Sequence, residues 1–393
     1  MARFGYRSIV FEGEMSNLNC GSLPFELYSL HSRKKSVTLD SANHQKRNRN
    51  IFRRLTSRFY QWLSRTKLGE PLALVMYLQG LLSYYLFPTL RKTSKACLYY
   101  LHDFRQFPAI YLLCRRYHAQ FVYDAHDFYS GIDESKRPHL VNKFLVKLET
   151  WCIKNATEVV TVSDGIAKMH LKTFGRRPLV VRNCQDPRLD KAPVEDLRSV
   201  LRLNNSDFLL VLVGQAKMGQ ALEELFQAMT ILPSSVHLAL LGGGYESYVE
   251  RIDGLELQNR VHSVLPVKPF EVVPFIKTAD AALIVYYSYS LNYFYCLPNG
   301  FFQPIAAELP LIYSDLPEIR KIAEKYELGF PINPQSPRSI VKAVLKLIGN
   351  PDCLSFFKQN ARDASQALSW EWEEEKLRNL VQKTINCDSS QAV

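Results

Sequence analysis

From Ala281 to Tyr313 the chain passes from one structure to the next with almost no slack. Ala281–Tyr287 has the continuous apolar run of a strand buried on both faces. A polar, aromatic loop follows. Pro298-Asn299-Gly300 then opens a helix whose first turns are apolar and which should end near Pro310. A second strand, Leu311–Tyr313, comes at once. The start of such a helix has amide N–H groups with no partner in the helix. Just past the carboxyl end of a strand, they form an anion site.

The same alternation runs through most of the chain and argues for an α/β architecture. Arg7–Phe11 and Ser36–Leu39 are weak strand candidates; Ala96–Tyr100 and Gln120–Tyr123 are stronger, with a helix over Phe107–Tyr117 between them. Val141–Asn155 has helical spacing of apolar residues. Glu158–Val162 reads as a buried strand, and Ser163 with Asp164 offers the N-cap of the next helix. Leu179–Val181 is a short strand. A polar stretch with Pro187 and Pro193 marks a linker, and the alternation then restarts. Strands are expected at Phe208–Val213, Val236–Leu241, Val261–Leu265, Ala281–Tyr287 and Leu311–Tyr313, and helices at Leu222–Ile231, Ser339–Ile348, Pro351–Ala367 and Ser369–Thr384. The expected division is a first domain over 1–190, a linker over 191–206, a second domain over 207–368 and a terminal helix and tail over 369–393.

The eight cysteines form no C-x-x-C pair and have no metal spacing to a histidine, so buried thiols in a reducing compartment are expected. Met1–Val10 lacks the apolar core of a secretion signal, which points to the cytoplasm. The net charge of +11 is concentrated: eight cations fall between Lys46 and Lys67, and no acid occurs between Asp40 and Glu70. In Ile51–Arg65 one helical face carries Ile51, Leu55, Phe59, Trp62 and Leu63, with the arginines largely elsewhere. Two readings stand: a helix in an anionic membrane interface, or an ordinary surface helix. No nucleic-acid motif accompanies the charge. The apolar run Leu72–Phe87 is short for a span, which needs ~20 residues. It reads as a buried helix of the first domain or as part of the same membrane face.

Several segments together resemble the retaining, glycogen-synthase-like branch (glycosyl transferases group 1) of nucleotide-sugar glycosyltransferases. They are Phe121-Val-Tyr-Asp-Ala-His126-Asp127, Glu158-Val-Val-Thr-Val-Ser163, Val181-Arg182-Asn183, Val213-Gly214, Leu241-Gly242-Gly243-Gly244, the block from Ser290 to Asp315, and Ser369-Trp370-Glu371. The resemblance runs from about Cys97 to the end of the chain. It implies the GT-B fold: two Rossmann-like domains facing a cleft, with the C-terminal helix returning to the first. It also implies hexosyl transfer with retention from a nucleoside diphosphate sugar, held by the second domain, to a sugar or lipid-linked acceptor held by the first. No covalent cofactor is implied, and no metal is expected because the chain has no Asp-x-Asp triplet. A protein partner or self-association fits the family as well.

By the same resemblance, His126 contacts the transferred sugar; its alternative is to cap the following turn beside Asp124 and Asp127. His102 repeats the His-Asp-Phe tripeptide after the preceding strand and is either a second residue of that cleft or part of a surface loop. Tyr295 and Gln303 stand at the family's paired glutamates, and Gln303 is expected at the ribose. The donor surface is expected from Gly214, Gln215, Lys217, Gly243, Val267, Ser290, Leu291, Asn292, Asn299, Gly300 and Phe301, with the amides of Asn299, Gly300 and Phe301 on the diphosphate. Several departures carry chemical weight. Gln303 stands where a glutamate is usual. Gln215, Gln220 and Gly300 stand where cations are usual, leaving Lys217 as donor-site charge or a solvated lysine, with Arg182 and Lys268 as reserves. Glu308 stands where a glycine is usual, facing either the diphosphate or solvent. Gly300→Lys is therefore expected to tighten donor binding. The alternative to an enzyme is a degenerate homologue that binds or stabilises an active glycosyltransferase.

Overall fold

The computed structural model describes residues 9–12, 26–29, 69–131 and 137–389. Ser36–Leu39 and the basic stretch 46–67 lie outside the described residues. The chain divides into two compact units. The first comprises 1–160, 170–179 and 378–393; the second comprises 161–169 and 180–377.

In the first unit, β1 (Ile9–Glu12) and β2 (Glu26–Ser29) pair in parallel. A four-stranded sheet follows in the order β3 (Leu98–Leu101), β4 (Gln120–Ala125), β5 (Glu158–Thr161) and β6 (Leu179–Val180). The helix Phe107–Tyr117 crosses from β3 to β4 and stops at His118, whose φ of 53° takes the left-handed conformation of a helix C-terminus. Its buried face, Phe107, Ala109, Ile110 and Leu113, packs with Leu145, Leu148 and Cys152 of the helix His139–Asn155. From the terminal helix, Trp370–Ser389, the residues beyond 377 join this unit. There Val381 and Leu380 are buried and Lys383 pairs with Glu158 at 3.5 Å.

The run Leu72–Phe87 departs from expectation. It forms Gly69–Leu81, a π-helical turn over Leu82–Leu86 and Phe87–Lys92, 24 continuous helical residues that by length and composition are enough to cross a membrane. Among the described residues, packing involves one side, through Ala73, Leu81, Leu74, Tyr77 and Leu90. Leu72, Val75, Leu82, Tyr84 and Phe87 face outward. Glu70, at its start, accepts from the amides of His139 and Leu140 at 2.9 and 2.8 Å and so caps the neighbouring helix.

The second unit is built on six parallel strands: β7 (Phe208–Val213), β8 (Val236–Leu241), β9 (Val261–Val264), β10 (Ala281–Ile284), β11 (Leu311–Ser314) and β12 (Gly329–Ile332). Their order is β12-β11-β10-β7-β8-β9. This is the Rossmann order. The first strand, β7, lies at the centre and the winding reverses between β7 and β10. Leu209, Val211, Ala282 and Leu311 face one apolar layer, and Leu210, Leu212, Ala281 and Ile312 the other. Helices therefore cover both faces, as a wholly parallel sheet requires. The six cysteines whose side chains are described are free thiols, but burial is not general. Cys152 and Cys184 are buried, and Cys97 is exposed.

Candidate functional site

The switch between β7 and β10 determines where the second unit can bind a ligand, because loops diverge there and leave a crevice at the carboxyl edge. Three backbone segments meet at it. Gly214 leaves β7 with φ 127° and its amide donates to the Leu241 carbonyl at 2.9 Å. The Ala216 amide donates to Gly243 at 2.9 Å, tying this loop to the glycine turn after β8. The helix Asn299–Ala306 begins against the end of β7, so that a Cβ on Gly300 would stand 2.5 Å from the Val213 carbonyl oxygen. A Cβ at Gly214 or Gly243 would meet nothing within 4 Å. Glycine at 300 thus serves close packing, whereas Gly214 and Gly243 border open space.

A second set of contacts ties the loop 214–221 to the loop after β10. The Ala221 amide donates to Val285 at 3.1 Å, and the Tyr287 amide to Gly219 at 2.8 Å. The Tyr293 hydroxyl donates to the Met218 carbonyl at 2.7 Å, and the Tyr289 ring lies tilted against Tyr293 with centroids 4.5 Å apart. Gln220 is buried and accepts from the Lys217 amide at 3.1 Å. A side chain at this position faces inward, so its lack of charge costs the surface nothing. The Lys217 ammonium stands 5.5 Å over the Tyr286 ring and makes no ion pair with a described residue. Arg182, in contrast, is engaged by Asp164 at 3.5 Å and Glu373 at 3.7 Å, and Lys268 by Glu271 at 3.3 Å. Among the three cations named from sequence, Lys217 is the one with charge to offer.

The predicted donor residues separate into groups. Asn299 is exposed at the helix start, and Gln303 follows one turn later on the same face. The Phe301 amide donates to the Pro298 carbonyl at 2.9 Å and its ring is wholly buried, so Phe301 is a core residue rather than a diphosphate ligand. Ser290 caps the short helix Leu291–Phe294. Leu291 is exposed, Asn292 buried, Gln215 exposed and Val267 half-buried against the core. Tyr295 packs its ring over Gly165, and its carbonyl accepts from the Ser163 hydroxyl at 2.8 Å. Ser163 also caps the helix Asp164–Phe174 by accepting from the Ile166 amide at 3.2 Å. Buried Glu318 takes the Asp164 amide of that helix start at 3.2 Å, a contact the sequence reading missed.

Glu308 is removed from the helix start. It follows the last turn with φ 62° and pairs with Lys277 at 2.9 Å and Arg362 at 3.0 Å. Those cations hold its carboxyl below the usual range, against a burial that works the other way. The positive φ explains the family's glycine here, and glutamate fills the position at the cost of strain.

The first unit presents its own polar group at the carboxyl ends of β3 and β4. His102 follows β3, while Asp124 is the penultimate residue of β4 and His126 lies just beyond it. His102 Nδ1 is 3.0 Å from His126 Nε2, and Asp124 Oδ2 is 3.3 and 3.5 Å from the two nitrogens. The repeated His-Asp-Phe tripeptide signalled both histidines. Parallel pairing of Leu101 with Tyr123 then brings them side by side.

Two parallel α/β sheets, the second in Rossmann order, define the GT-B fold. Solved structures agree. A sucrose-phosphate synthase from Thermosynechococcus elongatus superposes with a TM-score of 0.63 at 18% identity, covering 80% of this chain and 78% of its own. HepE from Anabaena, in complex with UDP-glucose, gives 0.59 at 16% identity over 73% and 79%. WaaG, a glycosyltransferase involved in lipopolysaccharide biosynthesis, gives 0.59 at 14% identity over 96% and 92%. At such identities the likeness is one of fold. By sequence, residues 193–364 match the family model of glycosyl transferases group 1. Comparison by sequence with curated proteins gives no match.

Proposed function

We propose that this protein transfers a sugar from a nucleoside diphosphate sugar, with retention, to a sugar or lipid-linked acceptor. The observation that carries the reading is the switch-point crevice, where an exposed helix start, two open glycine turns and an unpaired lysine converge within the family-matched segment. The Asn299 and Gly300 amides and Lys217 stabilise the diphosphate, and its charge is what must be held as it leaves. Gln303, one turn along, accepts from and donates to the ribose. His126 donates to a hydroxyl of the transferred sugar. Uridine is the first base to test, because HepE was solved with UDP-glucose and with UDP.

Calorimetry with UDP, GDP, ADP and dTDP, followed by turnover with the matching sugars, tests the proposal. One nucleotide should bind, and Lys217→Ala should weaken it at least tenfold without lowering the melting temperature. Absence of binding by all four would refute the donor site. A second reading has support in the cation count, since among the described residues a single unpaired lysine serves the crevice. Under that reading the protein binds the nucleotide and acts as a partner of an active enzyme. Binding without turnover across acceptors would favour it. Retention is read from the anomeric configuration of the product by NMR.

A further inference from the structure

We propose that His102, Asp124 and His126 form a binding site for a divalent transition-metal ion, with at least one coordination position left open. The three ligand atoms make a triangle with edges of 3.0, 3.3 and 3.5 Å. Around an ion bound at ~2.0–2.1 Å, tetrahedral geometry places ligand atoms ~3.3 Å apart. The side chains already stand at that spacing, so loading requires little movement. The donor set is two imidazoles and one carboxylate, which suits zinc, iron, cobalt or nickel and disfavours magnesium and calcium, whose ligands are oxygens.

The surroundings support a binding site rather than a chance meeting of surface groups. Asp124 is buried while both histidines are exposed, so the carboxylate forms the floor and the imidazoles the open rim. The Tyr100 side chain faces the Asp124 carboxylate, and its ring lies 5.0 Å from that of His102. Such an outer partner orients a ligating carboxylate. The two imidazole planes are 7° apart, with Nδ1 of one and Nε2 of the other turned together. Positions on two adjacent parallel strands fix the spacing, so no long loop has to order on binding. Among the described residues this is the one group of three potential ligands within 4.8 Å of one another. It departs from the expectation of a metal-free protein, and it stands whether or not the chain transfers sugar.

The test uses the full chain, stripped with a chelator, and titrated with Zn(II) by calorimetry and with Co(II) by visible absorption. One equivalent should bind, with cobalt bands of a nitrogen–oxygen site and no thiolate charge-transfer band. His102→Ala and Asp124→Asn should each weaken Zn(II) at least tenfold, and Tyr100→Phe ~10–100-fold, the range typical of outer-shell partners. Circular dichroism and melting checks that the variants fold; His102 is exposed and tolerates truncation. Affinity should fall as pH drops and the imidazoles protonate. Failure to bind any of Zn(II), Co(II) or Ni(II) would overturn the proposal and leave the histidines as a hydrogen-bonded pair. Binding that survives both substitutions, or that shows thiolate bands, would assign the metal to cysteines and overturn it equally.

Discussion

At the scale of single residues, the position that most changes the reading is Gly300. Motif comparison suggested that a lysine could be restored there and would tighten donor binding. The structure reverses that expectation, because the first atom of any side chain would stand 2.5 Å from the Val213 carbonyl oxygen. Gly300→Ala should therefore destabilise the second unit by about 1–3 kcal/mol, the usual cost of overpacking, and Gly300→Lys by no less. Urea denaturation measures this; unchanged stability with Gly300→Lys would show that the helix start gives way. His170 went unnoticed in the sequence, as a lone histidine on an apolar helix face. It is fully buried between Phe128 and Phe174, and neither ring nitrogen has a hydrogen-bond partner among the described residues. Burial pushes its pKa down to about 4. The unfolded chain, with an ordinary value near ~6.5, binds that proton more readily, so stability is lost as pH falls from ~6.5 towards 4. The loss should approach about 3 kcal/mol, and His170→Phe should flatten this part of the stability–pH curve. A variant curve with the same slope would assign the dependence to other groups.

At the scale of elements, the strands and helices with clear periodicity were legible. Phe208–Val213, Leu222–Ile231, Val236–Leu241 and Pro351–Ala367 fall where the residue pattern put them. Those that escaped have local reasons. β12 is four residues long and contains Pro331, so it shows neither alternation nor a plain apolar run. The helix after Pro298 stops at Ala306, short of Pro310. Glu308 turns left-handed and the Leu309 amide reaches back to the Pro304 carbonyl at 2.9 Å. The helical stretch 69–92 outran its prediction because polar residues at both ends continue the helix, and its exposure could not be read from hydropathy. That outer face leads to a prediction. Leu72, Val75, Leu82 and Phe87 should insert into an anionic bilayer, working with the cations between Lys46 and Lys67. Replacing the four by serine should cut recovery with anionic liposomes in flotation at both low and high salt, since the apolar contribution is not screened. Equal recovery of variant and parent would place the apolar face against protein instead.

At the scale of the whole molecule, the two proposed sites fall in different units, and this division was only half visible in the sequence. The family motifs pointed to a donor site in the second unit. They gave His126 to the transferred sugar and passed over Asp124 as a ligand, because register between strands, not sequence spacing, brings His102 to its side. The division predicts separate footprints in hydrogen exchange followed by mass spectrometry. A nucleoside diphosphate should slow exchange at 214–221 and 286–301, where amides and loops are held by a few bonds and open at low free-energy cost. Zn(II) should slow it around 98–103 and 120–127 instead. Each ligand also stabilises the state it binds, by about 2.7 kcal/mol at one hundred times its Kd, so exchange through full opening falls wherever the bound unit unfolds as one. The discriminating signal is therefore the extra, local protection above that common shift. Nucleotide protection confined to 98–127 would move the donor site out of the second unit and end the present assignment of Lys217 and Asn299. Zinc protection confined to the segments bearing Cys296 and Cys353 would instead remove the metal from the histidines while leaving the nucleotide site intact.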